Sequence, residues 1–249
     1  MLCNLSDGLI WKGDGWSVEV IYSRAGVSTS ILVSLDSGTV ILLDCGDGTL
    51  RDLLNKGVDI MKVEAVLFSH GHFDHIGGLY TLLGYMLMMG RTDQLLLMRP
   101  EGSRRIKLVV DAFINTYSGS LPFAIISHQV LGGEEINVAG IKVSPFKVVH
   151  HSSTEHYGIG EPLPSVGYTL HYHNSRVVYT GDCGLESNLE EHIDGADLVI
   201  IEATLEEAGG EIEEKVHLSL ERAEELARLA KRAFFVHRVG DEPMLDSSK

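Results

Sequence analysis

The chain has 249 residues, with 20 Lys and Arg against 35 Asp and Glu for a formal charge of −15, and 44% of it is apolar. That length supports a sizeable buried core, which excludes a small disulfide or zinc-finger scaffold, and the apolar share excludes a disordered or collagenous chain. A sequence pI near 5.1 repels polyanions, so non-specific DNA binding is not expected and nucleic acid is left a local basic patch or a metal-bridged contact.

Cys3, Cys45 and Cys183 are odd in number and form no C-x-x-C pair, which suits a reducing compartment, so a cytoplasmic location is expected. The opening MLCNLSDGLIWKGDG has no basic region or long apolar run. The longest apolar stretch, Tyr80–Met89, is too short to span a bilayer, so neither a signal peptide nor a membrane span is expected.

In chain order, Ser17–Ser23, Thr29–Leu35 and Thr39–Asp44 are predicted strands between Gly, Asp and Ser turns. A short helix at Arg51–Asn55, a buried strand at Val63–Ser69, an apolar helix at Ile76–Gly90 and a strand at Gln94–Met98 follow. Next come a helix at Ser103–Thr116, strands at Ala124–Val130, Ile136–Val138 and Ile141–His150, and a hairpin of Val166–Tyr172 with Arg176–Tyr179. Asp197–Glu202 is a further strand, Leu218–Arg232 an amphipathic helix and Phe234–His237 a last strand. The acidic run Glu206–Lys215 is predicted as a loop and the tail after Gly240 as frayed. No short repeat or linker divides the chain, so residues 1–249 are read as a single domain.

The chemistry concentrates in Ser69-His70-Gly71-His72-Phe73-Asp74-His75, an H-x-H-x-D-H cluster directly after an apolar strand. In extended chain His70, His72 and Asp74 point the same way, while His75 opens the next helix, which Asp74 is also placed to cap. Imidazole and carboxylate donors so closely spaced suit a divalent metal, zinc first.

With these residues the sequence resembles the metallo-β-lactamase-fold hydrolases, and more narrowly ribonuclease Z and its relatives. LLDCGDGT, HIGGLYTLLGYMLMMGR, SVGYTLHY, YTGDCG, IEATLEE and HLSLERAEELARLAKRAFFVH carry the likeness from about Ile31 to His237. The resemblance implies an α/β fold, a four-layer αββα sandwich, with two divalent metals in its cleft: zinc, or manganese or iron. Carried over, His70 and His72 bind the first metal, Asp74 and His75 the second, Asp182 bridges them, and His237 completes the second. The remaining first-metal ligand is His150 or His151. Phe146 and Val148 precede His150 with period 2, as apolar residues precede the ligand in that family, which selects His150.

Glu202 in IEAT and His217 in HLS match motifs whose Glu and His pair near the metals, and the resemblance implies that the His protonates the leaving oxygen. The reading is therefore phosphodiester hydrolysis on two metals, with Asp74, Glu202 and His217 as its catalytic residues and a small phosphodiester or RNA end as substrate. The alternative on the same site is hydrolysis of a lactone, thioester or other carboxyl ester. A flavo-diiron-type oxidoreductase is more remote, because His72 stands where that class carries Glu. After Met98 there is no long Gly/Pro-rich arm of the kind with which ribonuclease Z grips tRNA, so weak or absent cleavage of pre-tRNA is expected. Ser152–Ser165 is an insertion, either a lid or a surface loop, and Ile201 replaces a His common in the family. Arg104, Arg105 and Lys107 form a basic run, a solvated helix face or an RNA contact, and the apolar face of Tyr80–Met89 is a candidate homodimer surface.

Overall fold

In the computed structural model, which describes residues 9–154, 156–240 and 244–247, the alternating elements form two seven-stranded sheets. Cys3 lies outside the described residues. The first sheet holds β1 (Leu9–Lys12), β2 (Trp16–Arg24), β3 (Ser28–Leu35), β4 (Val40–Leu43), β5 (Val63–Leu67), β6 (Leu95–Pro100) and β7 (Ile125–Val130), with spatial order following chain order. β1 to β4 pair antiparallel, and β4 to β7 pair parallel. Helices α1 (Thr49–Asn55), α2 (Phe73–Ile76), α3 (Leu79–Met88) and α4 (Arg104–Tyr117) lie on the connections between the parallel strands.

The second half contributes β8 (Ile136–Val138), β9 (Ile141–Lys147), the separate hairpin β10 (His151–Thr154) and β11 (Gly158–Pro162), then β12 (Val166–Tyr172), β13 (Ser175–Tyr179), α5 (Glu190–Ile193), β14 (Leu198–Glu202), α6 (Gly210–Lys215), α7 (Leu220–Ala227), β15 (Ala233–Val236) and β16 (Leu245–Asp246). Its sheet runs β16-β15-β14-β13-β12-β9-β8, and β13, β14 and β15 are parallel.

Period-2 alternation sorts each strand's side chains between layers. Leu43 and Leu67 turn inward to pack with Val143, Tyr168, Leu170 and Phe234 of the opposite sheet. Their neighbours Leu42 and Val66 turn outward onto Leu53, Leu79, Leu83, Met86, Ile106 and Phe113 of the helices. In the second sheet Leu198 and Ile200 face inward, whereas Val199 and Ile201 pack outward with Ile193, Ala223 and Leu226. The layers are thus helix, sheet, sheet, helix, the αββα sandwich. Among the described residues no helix is long and apolar enough to cross a membrane.

Several elements differ from expectation. The helix predicted over Ile76–Gly90 is broken: Gly78 donates its N–H to the Cys45 carbonyl at 2.9 Å, and a Cβ there would fall 2.1 Å from the Gly46 carbonyl oxygen. The chain leaving β4 therefore crosses where a continuous helix would pass. Asp74 does not cap α2: the cap position is His72, and Asp74 Oδ2 instead accepts from the Gly26 backbone N–H at 2.8 Å. The acidic segment predicted as loop is partly α6, because Glu213 is buried and its carboxylate accepts from the backbone N–H groups of Gly209 and Ser219. The last amphipathic helix spans only Leu220–Ala227, starting where Ser219 Oγ accepts from Arg222 N. The tail is not wholly frayed, since β16 pairs with β15 and Asp246 binds Arg232. Strand β1 was not expected; Trp11 in it packs edge-on against Trp16 at 5.4 Å between ring centroids. The inserted Ser152–Ser165 segment is built around the β10–β11 hairpin.

Candidate metal centre

The carboxyl ends of parallel strands leave a crevice where ligands gather in open α/β sheets, and here such ends from both sheets converge. β4 delivers Asp44, β5 delivers Ser69 and His70 with α2 just beyond, β13 delivers Asp182, β14 ends on Glu202 and β15 leads into His237. The chain beyond β9 supplies His150. Gly181, at φ +61°, lets the exit of β13 pass the His70 loop: a Cβ there would lie 2.6 Å from Ser69 Cβ. That close approach puts Asp182 at the centre.

Around Asp182 the imidazoles form two groups. His70 Nε2 and His150 Nε2 lie 3.0 and 3.1 Å from His72 Nδ1. Asp182 Oδ2 lies 3.6 Å from His70 Nε2, 3.4 Å from His75 Nε2 and 3.3 Å from His237 Nε2. Asp74 Oδ2 is 3.2 Å from His237 Nε2 and 4.0 Å from His75 Nε2. The donors fall into the sets His70, His72, His150, Asp182 and Asp74, His75, His237, with Asp182, His217 and His237 also mutually close.

The other ring nitrogens set the tautomers. Nδ1–H of His75 donates to Asp44 Oδ2 at 2.8 Å, and that of His150 to the Val216 carbonyl at 2.8 Å. The Ser69 hydroxyl is committed as donor to Asp44 Oδ2 at 2.6 Å, so it accepts from His70 Nδ1 at 3.0 Å. Likewise the Thr204 hydroxyl donates to Glu202 Oε2 at 2.5 Å and accepts from His237 Nδ1 at 2.9 Å. A neutral imidazole has one N–H, so in its neutral form each of these rings turns Nε2 inward as a lone-pair donor. Among the described residues, buried His75 Nε2 finds no hydrogen-bond partner. Imidazole nitrogens and two carboxylates facing one another at these distances are a donor set for divalent cations, and the residues present fit that role.

Protonation follows the same logic. Burial disfavours the imidazolium and lowers His70 well below its ordinary value, His72 to about 4 and His150 to about 3, so all three are neutral near pH 7. Burial opposes charge on His75 too, but Asp182 and Asp44 outweigh it and raise that ring well above 6.5. Burial would raise Asp182, yet His237, His75 and His70 hold it well below the carboxylate range. Asp74, also opposed by burial, is brought to about 2 by its bond to His237 and the nearby His75.

Glu202 and His217 form a pair at the edge of this cluster. His217 Nδ1–H donates to Glu202 Oε1 at 2.9 Å, while that oxygen also accepts from Cys183 N at 2.7 Å. Burial lowers the His217 pKa, but the charge and hydrogen bond of Glu202 more than reverse this and raise it to about 9. The His217 ring lies 5.3 Å from both the His150 and the His237 ring centroids.

All seven residues expected as ligands, His70, His72, Asp74, His75, His150, Asp182 and His237, are brought together. His151 is not; it begins β10 and its Nδ1 lies 2.9 Å from the Gly160 carbonyl. Arg104, Arg105 and Lys107 are exposed on α4, where Lys107 pairs with Asp111. Sequence reasoning gave no role to Asp44 or Thr204. An Asp closing the apolar run of β4, and a Thr two residues beyond Glu202 on the same side of the chain, were the available signals.

A family profile described as the beta-lactamase superfamily domain matches residues 39–237, and the chain belongs to that superfamily. Ribonuclease Z of Ignicoccus hospitalis is 29% identical, the match covering 79% of this chain and 75% of that protein. The metallo-β-lactamase fold itself is shared with solved structures. The short form of human tRNase Z superposes with a TM-score of 0.72 at 20% identity, covering 89% of this chain and 92% of that one. A metallo-β-lactamase-fold protein of Bacillus subtilis gives a TM-score of 0.72 at 19% identity over 92% of this chain and 89% of its own.

Proposed function

We propose that this chain is a metal-dependent phosphodiesterase of the ribonuclease Z group, a single domain working with two divalent ions. His70, His72 and His150 would hold one ion, Asp74, His75 and His237 the other, and Asp182 would reach both. Zinc suits such nitrogen and carboxylate donors, with manganese or iron as the alternatives. The observation that carries the reading is the outward Nδ1–H of His70, His75, His150 and His237, which turns their Nε2 atoms inward around Asp182. Similarity to a protein named ribonuclease Z supports phosphodiesters as the substrate class.

Ions in such a site polarise a phosphoryl oxygen and bring the pKa of water toward 7. The protein's own residues do the rest. Glu202 holds His217 through Nδ1, so a proton on Nε2 points away from the carboxylate and is available to a departing alkoxide. Asp74 Oδ2 accepts from the Gly26 N–H, which fixes that oxygen beside His237 Nε2. Buried Thr204 ties Glu202 to His237, so the proton donor and one ligand share a support.

The test is a substrate panel on purified protein with its metal content measured. Ethyl p-nitrophenyl phosphate should be hydrolysed, the activity should vanish with a chelator, and zinc or manganese should restore it. Turnover of a lactone or thioester with no phosphodiester hydrolysis would replace this reading by the carboxyl-ester one.

A further inference from the structure

Beside the ligand cluster runs a groove of about 660 Å³ lined by Gly71, His72, Phe73, Tyr80, Arg105 and Leu108, together with smaller apolar side chains of α2 and α4. Its volume is in the range of small-molecule sites. Phe73 sits between two candidate ligands yet is 67% exposed, and Leu108, on the otherwise polar face of α4, is 53% exposed. Such side chains bring no folding advantage where they stand, and apolar groups that line a concave surface next to a reaction centre call for a ligand.

The groove and the ligand cluster share His72, so whatever lies in the groove is covalently within reach of a phosphate at the cluster. Gly71 eases this proximity: a Cβ there would lie a tight 3.1 Å from Arg105 Cβ, so the missing side chain lets α4 lie close across the loop between His70 and His72. The Tyr80 ring is steadied edge-on against Phe113, with centroids 5.3 Å apart. Two aromatic rings and a guanidinium offer faces to a flat π-system, whereas a flexible alkyl chain would use none of their directionality. Recognition by stacking without hydrogen-bond readout tolerates any base.

The geometry points to a nucleobase-stacking site: this groove receives the base of the nucleotide whose phosphodiester is cleaved, Phe73 and Tyr80 supply the stacking faces, and Arg105 at the rim faces the negative phosphate. This assignment rests on the phosphodiesterase reading and narrows its substrate to nucleotide esters.

The test compares thymidine 5′-(p-nitrophenyl phosphate) with methyl p-nitrophenyl phosphate, and measures AMP binding to the metal-loaded protein by calorimetry, with inorganic phosphate as the control. The nucleoside ester should be preferred in kcat/KM by about ten-fold or more, as one stacked base warrants. Phe73→Ala, and independently Leu108→Asp at an exposed position that folding tolerates, should each shrink that preference several-fold and weaken AMP but not phosphate binding. Hydrolysis of both esters with a preference that neither variant changes, and AMP binding equally unmoved, would overturn the base site while leaving the phosphodiesterase standing. Hydrolysis of neither ester would remove the phosphodiesterase instead, with AMP binding still deciding the groove. A stronger preference for an octyl ester, or a concentration-dependent dimer lost in both variants, would assign the groove to an alkyl group or to a second copy and overturn the proposal.

Discussion

Asp44 Oδ2 accepts the Nδ1 proton of His75 at 2.8 Å, and the same buried carboxylate takes the Ser69 N–H at 2.8 Å, the Ser69 hydroxyl at 2.6 Å and the Tyr179 hydroxyl at 2.6 Å. One group therefore aims His75 directly and His70 through Ser69, reaching both sets of candidate ligands. Asp44 occupies left-handed backbone at φ 57°, a conformation that surrounding structure must hold in place.

Asp44→Asn replaces one acceptor oxygen by a donor, so it cannot serve His75, Ser69 and Tyr179 together. Removing an outer partner of a ligating histidine lowers metal affinity by about 10–100-fold. Competition with a chromogenic chelator should show that loss, together with destabilisation of roughly 1–3 kcal/mol in urea unfolding. Wild-type affinity in this variant would mean that Asp44 serves the fold alone.

Metal analysis of purified protein should find about two ions per chain, and His72→Ala and Asp182→Ala should each reduce that number, because both side chains point at other donors. His150→Ala should lose more affinity than His151→Ala, whose ring is turned toward the β10–β11 hairpin. The opposite ranking would exchange their roles.

Much of the fold could be read from the chain because runs such as Val40–Leu43 and Ala65–Leu67 are apolar on both faces, as strands buried between layers must be. The H-x-H-x-D-H cluster was legible because its donors are neighbours in sequence. Asp182 and His237 were not legible alone, since a turn Asp and a strand-end His look ordinary until a distant segment supplies the context. Asp44 and Thr204 act through tertiary hydrogen bonds that leave no spacing pattern. The break between α2 and α3 comes from the Gly46 carbonyl, a contact between segments that helix periodicity does not encode. β1 and β16 are short edge strands whose partners, more than their own residues, define them.

Pre-tRNA should be a poor substrate relative to a small phosphodiester. Only Glu101, Gly102 and Ser103 connect β6 to α4, so no arm extends there to grip a folded RNA. A net charge of −15 adds long-range repulsion of a polyanion that lowering the salt makes worse, outside the immediate reach of Arg104 and Arg105. Efficient 3′-end processing at physiological salt, measured on a radiolabelled precursor, would contradict this.

The Glu202–His217 pair gives the sharpest separation of roles. With a pKa of about 9, His217 is protonated near neutrality, and its Nε2 proton is the one not committed to Glu202. His217→Ala should lower kcat roughly 10²–10⁴-fold on an alkyl ester, as expected for lost general-acid catalysis, and far less when nitrophenolate departs without needing a proton. Glu202→Gln removes the charge that raises the imidazole pKa, so the protonated form is lost at lower pH and the alkaline limb of the rate profile should move down. Its kcat should fall less than that of His217→Ala, and the double variant should be little worse than His217→Ala, because residues acting as one unit are non-additive. Metal content should survive His217→Ala. If both single variants hydrolyse an alkyl phosphodiester at the wild-type rate, the pair is structural and the leaving group draws its proton from elsewhere.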